Sequence, residues 1–80
     1  MLKLEKQTKL SPAEVLKQAI EFFVAGYGLK ITEQNATCMT LEGGGGGIEI
    51  TTSVEKKVTS VEVSSQEWDR QAKTFISKLK

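Results

Sequence analysis

The chain predicts a two-layer α+β domain, ordered strand, helix, four strands, helix, with an antiparallel sheet and both helices on one face. Three observations carry this expectation. Apolar residues recur at helical spacing in two separate segments, near the start and at the end. Between and before these segments, apolar and polar residues alternate with the period of two that marks a half-buried strand. The strand segments are short and closely connected, so neighbours should pair antiparallel, and two single-faced helices need one face of the sheet to cover.

The first strand is read from Leu2 and Leu4, which point opposite to Lys3 and Glu5, with Thr8 and Leu10 continuing the even register. The segment "SPAEVLKQAIEFFVAGYG" follows, with Ser11 as N-cap, Pro12 at the first helical position and Glu14 three residues after the cap. These signals predict a helix from about Pro12 to Ala25. Its buried stripe is Val15, Leu16, Ala19, Ile20 and Phe23, with Phe22 and Val24 to the side; Glu14, Lys17, Gln18 and Glu21 cover the opposite face. Gly26 and Gly28 flank Tyr27 where a left-handed helix stop usually places glycine.

"LKITEQNATCMTLE" reads as two strands, Leu29 to Glu33 and Ala36 to Glu42, hinged at Gln34 and Asn35. Ile48, Ile50, Thr52 and Val54 then alternate with Glu49, Thr51 and Ser53. A turn at Glu55, Lys56 and Lys57 leads into Thr59, Val61 and Val63, alternating with Ser60, Glu62 and Ser64. Ser64 or Ser65 is expected to cap the second helix, Ser64 forming a capping box with Glu67. Its apolar face is Trp68, Ala72, Phe75, Ile76 and Leu79, and Lys78 and Lys80 supply the positive charge a helix C-terminus favours. This element order resembles the architecture shared by a repeat of the TATA-box-binding protein and the smaller relatives of the helix-grip lipid-binding folds. The resemblance spans nearly the full length and concerns order alone, so it implies a fold and carries over no functional residue.

Eighty residues form one domain, 1–80, burying only about 60% of the surface of the unfolded chain. A homo-oligomer would supplement so small a core. The single cysteine, Cys38, excludes an internal disulfide, and the absence of histidine removes the commonest general base and metal ligand. No cofactor or metal is implied. Eleven basic and ten acidic side chains are scattered without blocks, giving no signature of nucleic acid or an anionic membrane. No apolar run approaches the roughly 20 residues of a spanning helix, and "MLKLEKQTKL" lacks the pattern of a signal peptide, so a cytoplasmic location is expected.

The glycine run Gly43 to Gly47 is the most conspicuous feature. A phosphate-binding loop would need a helix and a lysine after the glycines, whereas "IEITTSV", a strand, follows. Two readings remain: a hairpin connection, or glycines within the strands where something packs closely. Cys38, with Ala36 and Thr40, should lie on the open face if Met39 and Leu41 face the helices, and reads as a small structural residue. Glu49 and Glu62 form a possible cross-strand carboxylate pair, for which a solvated face is the plain reading. Tyr27 either closes the helix end or lines a pocket mouth.

These features favour a small non-catalytic binding or assembly module, acting through its sheet face or a cavity between sheet and helices, with a second copy or a small apolar ligand as partner. Two alternatives are a nucleic-acid-binding sheet and a small enzyme using carboxylates or Cys38. The outward set Lys3, Glu5, Glu49, Thr51, Ser53 and Glu62 weighs against the former, since it holds one lysine and no aromatic ring. No arrangement of residues in the chain specifies a reaction.

Overall fold

The computed structural model describes residues 2–79. Five strands, β1 (Leu2–Thr8), β2 (Lys30–Gln34), β3 (Cys38–Gly43), β4 (Gly46–Glu55) and β5 (Val58–Gln66), form one antiparallel sheet in the order β1-β5-β4-β3-β2. Helix α1 runs Pro12–Ala19 and is continued, as one helical element, by π-helical turns over Ile20–Ala25; helix α2 spans Asp69–Lys78. Both helices pack on the same face, α1 over β4 and α2 over β1 and β5. The two-layer α+β arrangement is the expected one.

The inward residues of the central strands, Met39, Leu41, Ile48, Ile50, Val61 and Val63, are buried beneath Val15, Leu16, Ala19 and Phe23 of α1 and Ala72 and Phe75 of α2. The alternation read from the sequence therefore sets the facing of the sheet. All five residues of β2 are exposed.

Ser11 caps α1 as expected: its hydroxyl accepts the Glu14 N–H at 3.3 Å. Regular α-helix runs Pro12–Ala19 and then widens to π-helical turns over Ile20–Ala25. A wider turn separates successive side chains by a smaller angle. Accordingly Phe23 is buried, while its neighbour Phe22 still reaches Phe75 with ring centroids 5.8 Å apart. The helical path ends at Gly28, whose φ is +75°; Gly28 N–H bonds to the Val24 carbonyl and Leu29 N–H to the Phe23 carbonyl. With Gly28 as the left-handed residue, its bond to Val24 is that of an αL stop, and the Leu29 bond reaches one carbonyl further back, with Leu29 and Phe23 both buried. Gly26 keeps right-handed helical geometry, so only one of the two flanking glycines meets the expectation of a left-handed stop. Because Leu29 is committed to that stop, β2 begins at Lys30.

The hinge falls on Asn35, whose carboxamide oxygen accepts the backbone N–H groups of Thr37 and Cys38, each at 2.9 Å. Ala36 lies in this turn, and β3 begins at Cys38 rather than Ala36.

The expected start of α2 needs correction. Neither Ser64 nor Ser65 caps it, and the Ser64–Glu67 capping box does not form, because β5 continues to Gln66. Ser64 and Ser65 pair with Lys3 and Leu2 on one side and with Glu49 and Ile48 on the other. A ladder on both flanks uses the backbone groups a helix start would need. Glu67, at φ +69°, then redirects the chain, and Trp68 occupies the N-cap position without a side-chain cap bond. At the other end, Lys6 from β1 donates to the Ile76 and Leu79 carbonyls. The positive charge expected at this terminus is also present: Lys78 lies in the last turn of α2, with its ammonium group 5.2 Å from the Phe22 ring centroid, and Lys80 lies outside the described residues.

Two changes test these assignments in opposite directions. Ser65→Ala removes a buried hydroxyl that has no hydrogen-bond partner among the described residues, and should raise stability by about 1 kcal/mol, read as an increase of several degrees in melting temperature. Lys6→Met keeps the aliphatic stem but loses the charge at the α2 terminus. It should lower chemical-denaturation stability by ~1–2 kcal/mol.

Candidate binding groove on the open sheet face

The glycine run contains both of its expected alternatives. Gly44 and Gly45, with φ of +58° and +83°, form a two-residue hairpin turn closed by Gly43 opposite Gly46. Gly47 lies one step further into the ladder, opposite Glu42. The β4–β5 hairpin makes a comparable left-handed turn with Lys56 and Lys57, at φ of 50° and 70°. Positive φ thus accounts for at most two of the five glycines.

The others answer to close approach. A Cβ on Gly46 would lie 2.1 Å from the Gln66 carbonyl oxygen and 2.5 Å from Glu67 Cβ, where β5 gives way to α2. A Cβ on Gly43 would meet the Leu29 side chain at 2.5 Å. The Gly43 carbonyl accepts a 2.9 Å hydrogen bond from the Trp68 indole N–H. Trp68 lies against the turn, since a Cβ on Gly44 would be 3.2 Å from its ring. Sequence reasoning missed this contact. Its available signal was that a largely buried indole needs an acceptor, and a side-chain-free backbone offers one.

Tyr27 sits beside Trp68 and Phe22, with ring centroids at 5.8 and 5.4 Å, and extends an aromatic cluster through Phe22 to Phe23 and Phe75. The Tyr27 side chain itself stays about half exposed.

On the opposite side of the sheet, Gly47 leaves a bare floor between taller neighbours. Around it runs an open groove of about 880 Å³, bounded by Lys30 and Thr32 of β2, Thr40 and Glu42 of β3, Glu49 of β4, and Ser64 and Gln66 of β5. Strand alternation points the β3, β4 and β5 members away from the helices, because Leu41, Ile48, Val63 and Ser65 between them are buried on the helix side. Lys30 stands directly opposite Glu42. The groove is therefore rich in hydroxyl, amide and carboxylate groups, with no aromatic ring.

The side chains around the groove are mostly polar, although more of its exposed surface is apolar than polar; Ala36, Cys38 and Thr40 are the residues expected on this open face. Of these, Ala36 is in the turn and Thr40 lines the groove. Cys38 is half-buried on the open side, opposite Thr51, with its sulfur 3.6 Å from the Thr37 hydroxyl. The expected carboxylate pair also changes. Glu49 faces Ser64, whereas Glu62 faces Thr51 on one side and Glu5 on the other. Lys3 bonds Glu62 at 2.9 Å, and that hydrogen bond, followed by the carboxylate's charge, holds the Lys3 ammonium pKa above its ordinary value. Among the described residues, no three cysteine or acidic side chains converge as metal ligands. Among them, too, no helix is long and apolar enough to cross a membrane.

No family model matches the chain, and no curated protein matches it in sequence.

The two reasons for glycine are separable. Gly46→Ala should cost more than ~2 kcal/mol, because the Gln66 carbonyl cannot retreat without breaking the β4–β5 ladder. Gly45→Asn, where a Cβ meets nothing within 4 Å, should cost less than ~1 kcal/mol, since Asn tolerates the left-handed region. Paired urea titrations would show whether that order holds.

Proposed function

We propose that this chain is a non-catalytic binding module that holds an extended, neutral-to-basic polypeptide segment on the open face of its sheet. The groove floored by Gly47 supports the reading. Thr32, Thr40, Ser64 and Gln66 offer hydrogen-bond donors and acceptors along its walls. Peptide amides need both.

Charge sets the partner's sign. Across the open face two lysines, Lys3 and Lys30, stand among the carboxylates of Glu5, Glu42, Glu49 and Glu62. That balance repels a phosphate backbone and favours a cationic segment. Together with the lack of stacking rings, it argues against the nucleic-acid reading. Against a small apolar ligand enclosed in the fold, the space between sheet and helices is occupied by core side chains such as Leu16, Phe23 and Phe75.

Amide chemical shifts report on this surface directly. Titrating the full chain with an unstructured peptide of alternating lysine and serine should produce saturable changes at Thr40, Glu42, Gly47, Glu49 and Ser64. Reversing both groove carboxylates, Glu42→Lys with Glu49→Lys, should weaken that binding about tenfold or more. Shifts produced by single-stranded DNA but not by the peptide would overturn the reading, as would peptide shifts confined to the helices.

A further inference from the structure

The two edges of the sheet differ in how they are protected. At one end β2 is short, slips register between Ile31 and Glu33, and has the Thr32 hydroxyl bonded to the Thr40 carbonyl. Shortness, a bulge and flanking charge are the usual means of blocking strand addition. At the other end β1 has seven residues in unbroken register with β5. Leu2 and Leu4 are only half-buried there, and Leu4 and Ile76 of α2 pack against the core without being enclosed by it. This is an open edge with apolar surface beside it.

The charges on β1 indicate what completes the edge. Glu5 faces Glu62 across the β1–β5 ladder, and the ammonium group of Lys3 bonds Glu62. Glu5 therefore lies opposite a like charge and has no ion pair of its own among the described residues. If β1 pairs antiparallel with β1 of a second copy, the helices of both copies staying on one side, the register decides which charges meet. Centring the two-fold axis on Lys3 sets lysine against lysine, and centring it on Glu5 sets glutamate against glutamate. Centring it on Leu4 places Lys3 of each copy opposite Glu5 of the other, and Leu4 opposite its own counterpart on the helix side, near Ile76. Of these three registers only the last sets opposite charges against each other; on the helix side it places Leu2 opposite Lys6, whose ammonium group is held by the α2 carbonyls, so charge rather than apolar contact selects it.

We propose that two copies of this chain pair antiparallel along β1 about a two-fold axis at Leu4, joining their sheets into one of ten strands. The inference concerns the edge of the sheet, not its groove, and stands or falls separately from the peptide-binding reading. A single strand pair with few apolar side chains makes a small interface, so the dimer should be weak, with a dissociation constant on the order of micromolar or above.

Sedimentation equilibrium of the full chain from about 10 µM to 1 mM should show the average mass rising from one chain towards two. Glu5→Lys should raise the dissociation constant at least ~10-fold by setting like charges across the axis twice. Within one chain the same change removes the Glu5–Glu62 repulsion, so at low concentration its melting temperature should hold or rise; a general folding defect would lower both. Adding Lys3→Glu to Glu5→Lys restores opposite charges across the axis and should recover dimerisation. In a Cys38→Ser background, Leu4→Cys should form a disulfide-linked dimer on mild oxidation, because directly opposed antiparallel residues lie within disulfide reach. A folded monomer throughout the concentration range would overturn the proposal. So would a dimer indifferent to Glu5→Lys that Leu4→Cys does not cross-link.

Discussion

The fold depends on one close approach. As β5 ends, its backbone comes so near Gly46 that a single β-carbon there would overlap the Gln66 carbonyl. At this point the chain must leave the sheet, turn through a left-handed Glu67 and deliver α2 onto the face that α1 already covers. Trp68 fixes the exit by bonding the Gly43 carbonyl and laying its ring on the hairpin. With the exit held, Ala72 and Phe75 reach the core and the C-terminus of α2 meets Lys6 on β1. The exit thus requires the absence of a side chain at Gly46, and it brings α2 to where the Lys6 side chain ties it to β1.

That contact also explains the groove. Both helices are committed to one face, so the other is left without a layer. The glycines that admit β5 and Trp68 continue to Gly47, which has no side chain on the open side. Strand-to-helix packing on one surface and a bare floor on the other therefore arise from the same short run of sequence. A hairpin built like that of Lys56 and Lys57 would supply the turn but neither consequence.

Most of the architecture was legible because it rests on local rules. Period-two alternation placed Ile48, Ile50, Val61 and Val63 in the core, and the Ser11, Pro12, Glu14 signature placed the start of α1. The failures occur where long-range pairing outweighs a local signal. Ser64 and Glu67 have capping-box spacing, but a strand flanked on both sides keeps its ladder, and α2 starts later. The Lys6 contact with α2 joins residues some seventy positions apart, which no local pattern encodes. The groove was illegible for a related reason. Lys30, Glu42, Glu49 and Ser64 converge only through the order β5-β4-β3-β2, and in the sequence each is merely one polar member of an alternating strand.

The charge arrangement of β1 carries a further implication for how a marginal core is stabilised. A directly opposed carboxylate pair such as Glu5 and Glu62 is mildly unfavourable within a chain. Placing Lys3 on the same strand, two residues from Glu5, offsets part of that repulsion through its bond to Glu62 and leaves Glu5 available at the sheet edge. The alternating order of lysine and glutamate on one face of an edge strand is self-complementary when the strand meets its own copy antiparallel. A strand with two like charges at those positions would repel its copy whether the axis fell on the first charge, the second, or the residue between them. The edge that lacks a bulge is thus also the edge whose charges match a second copy, whereas bulged β2 is protected by its backbone geometry. For a domain of this size, extension through β1 would enclose Leu4 and the flank of α2 without altering the core or the open face.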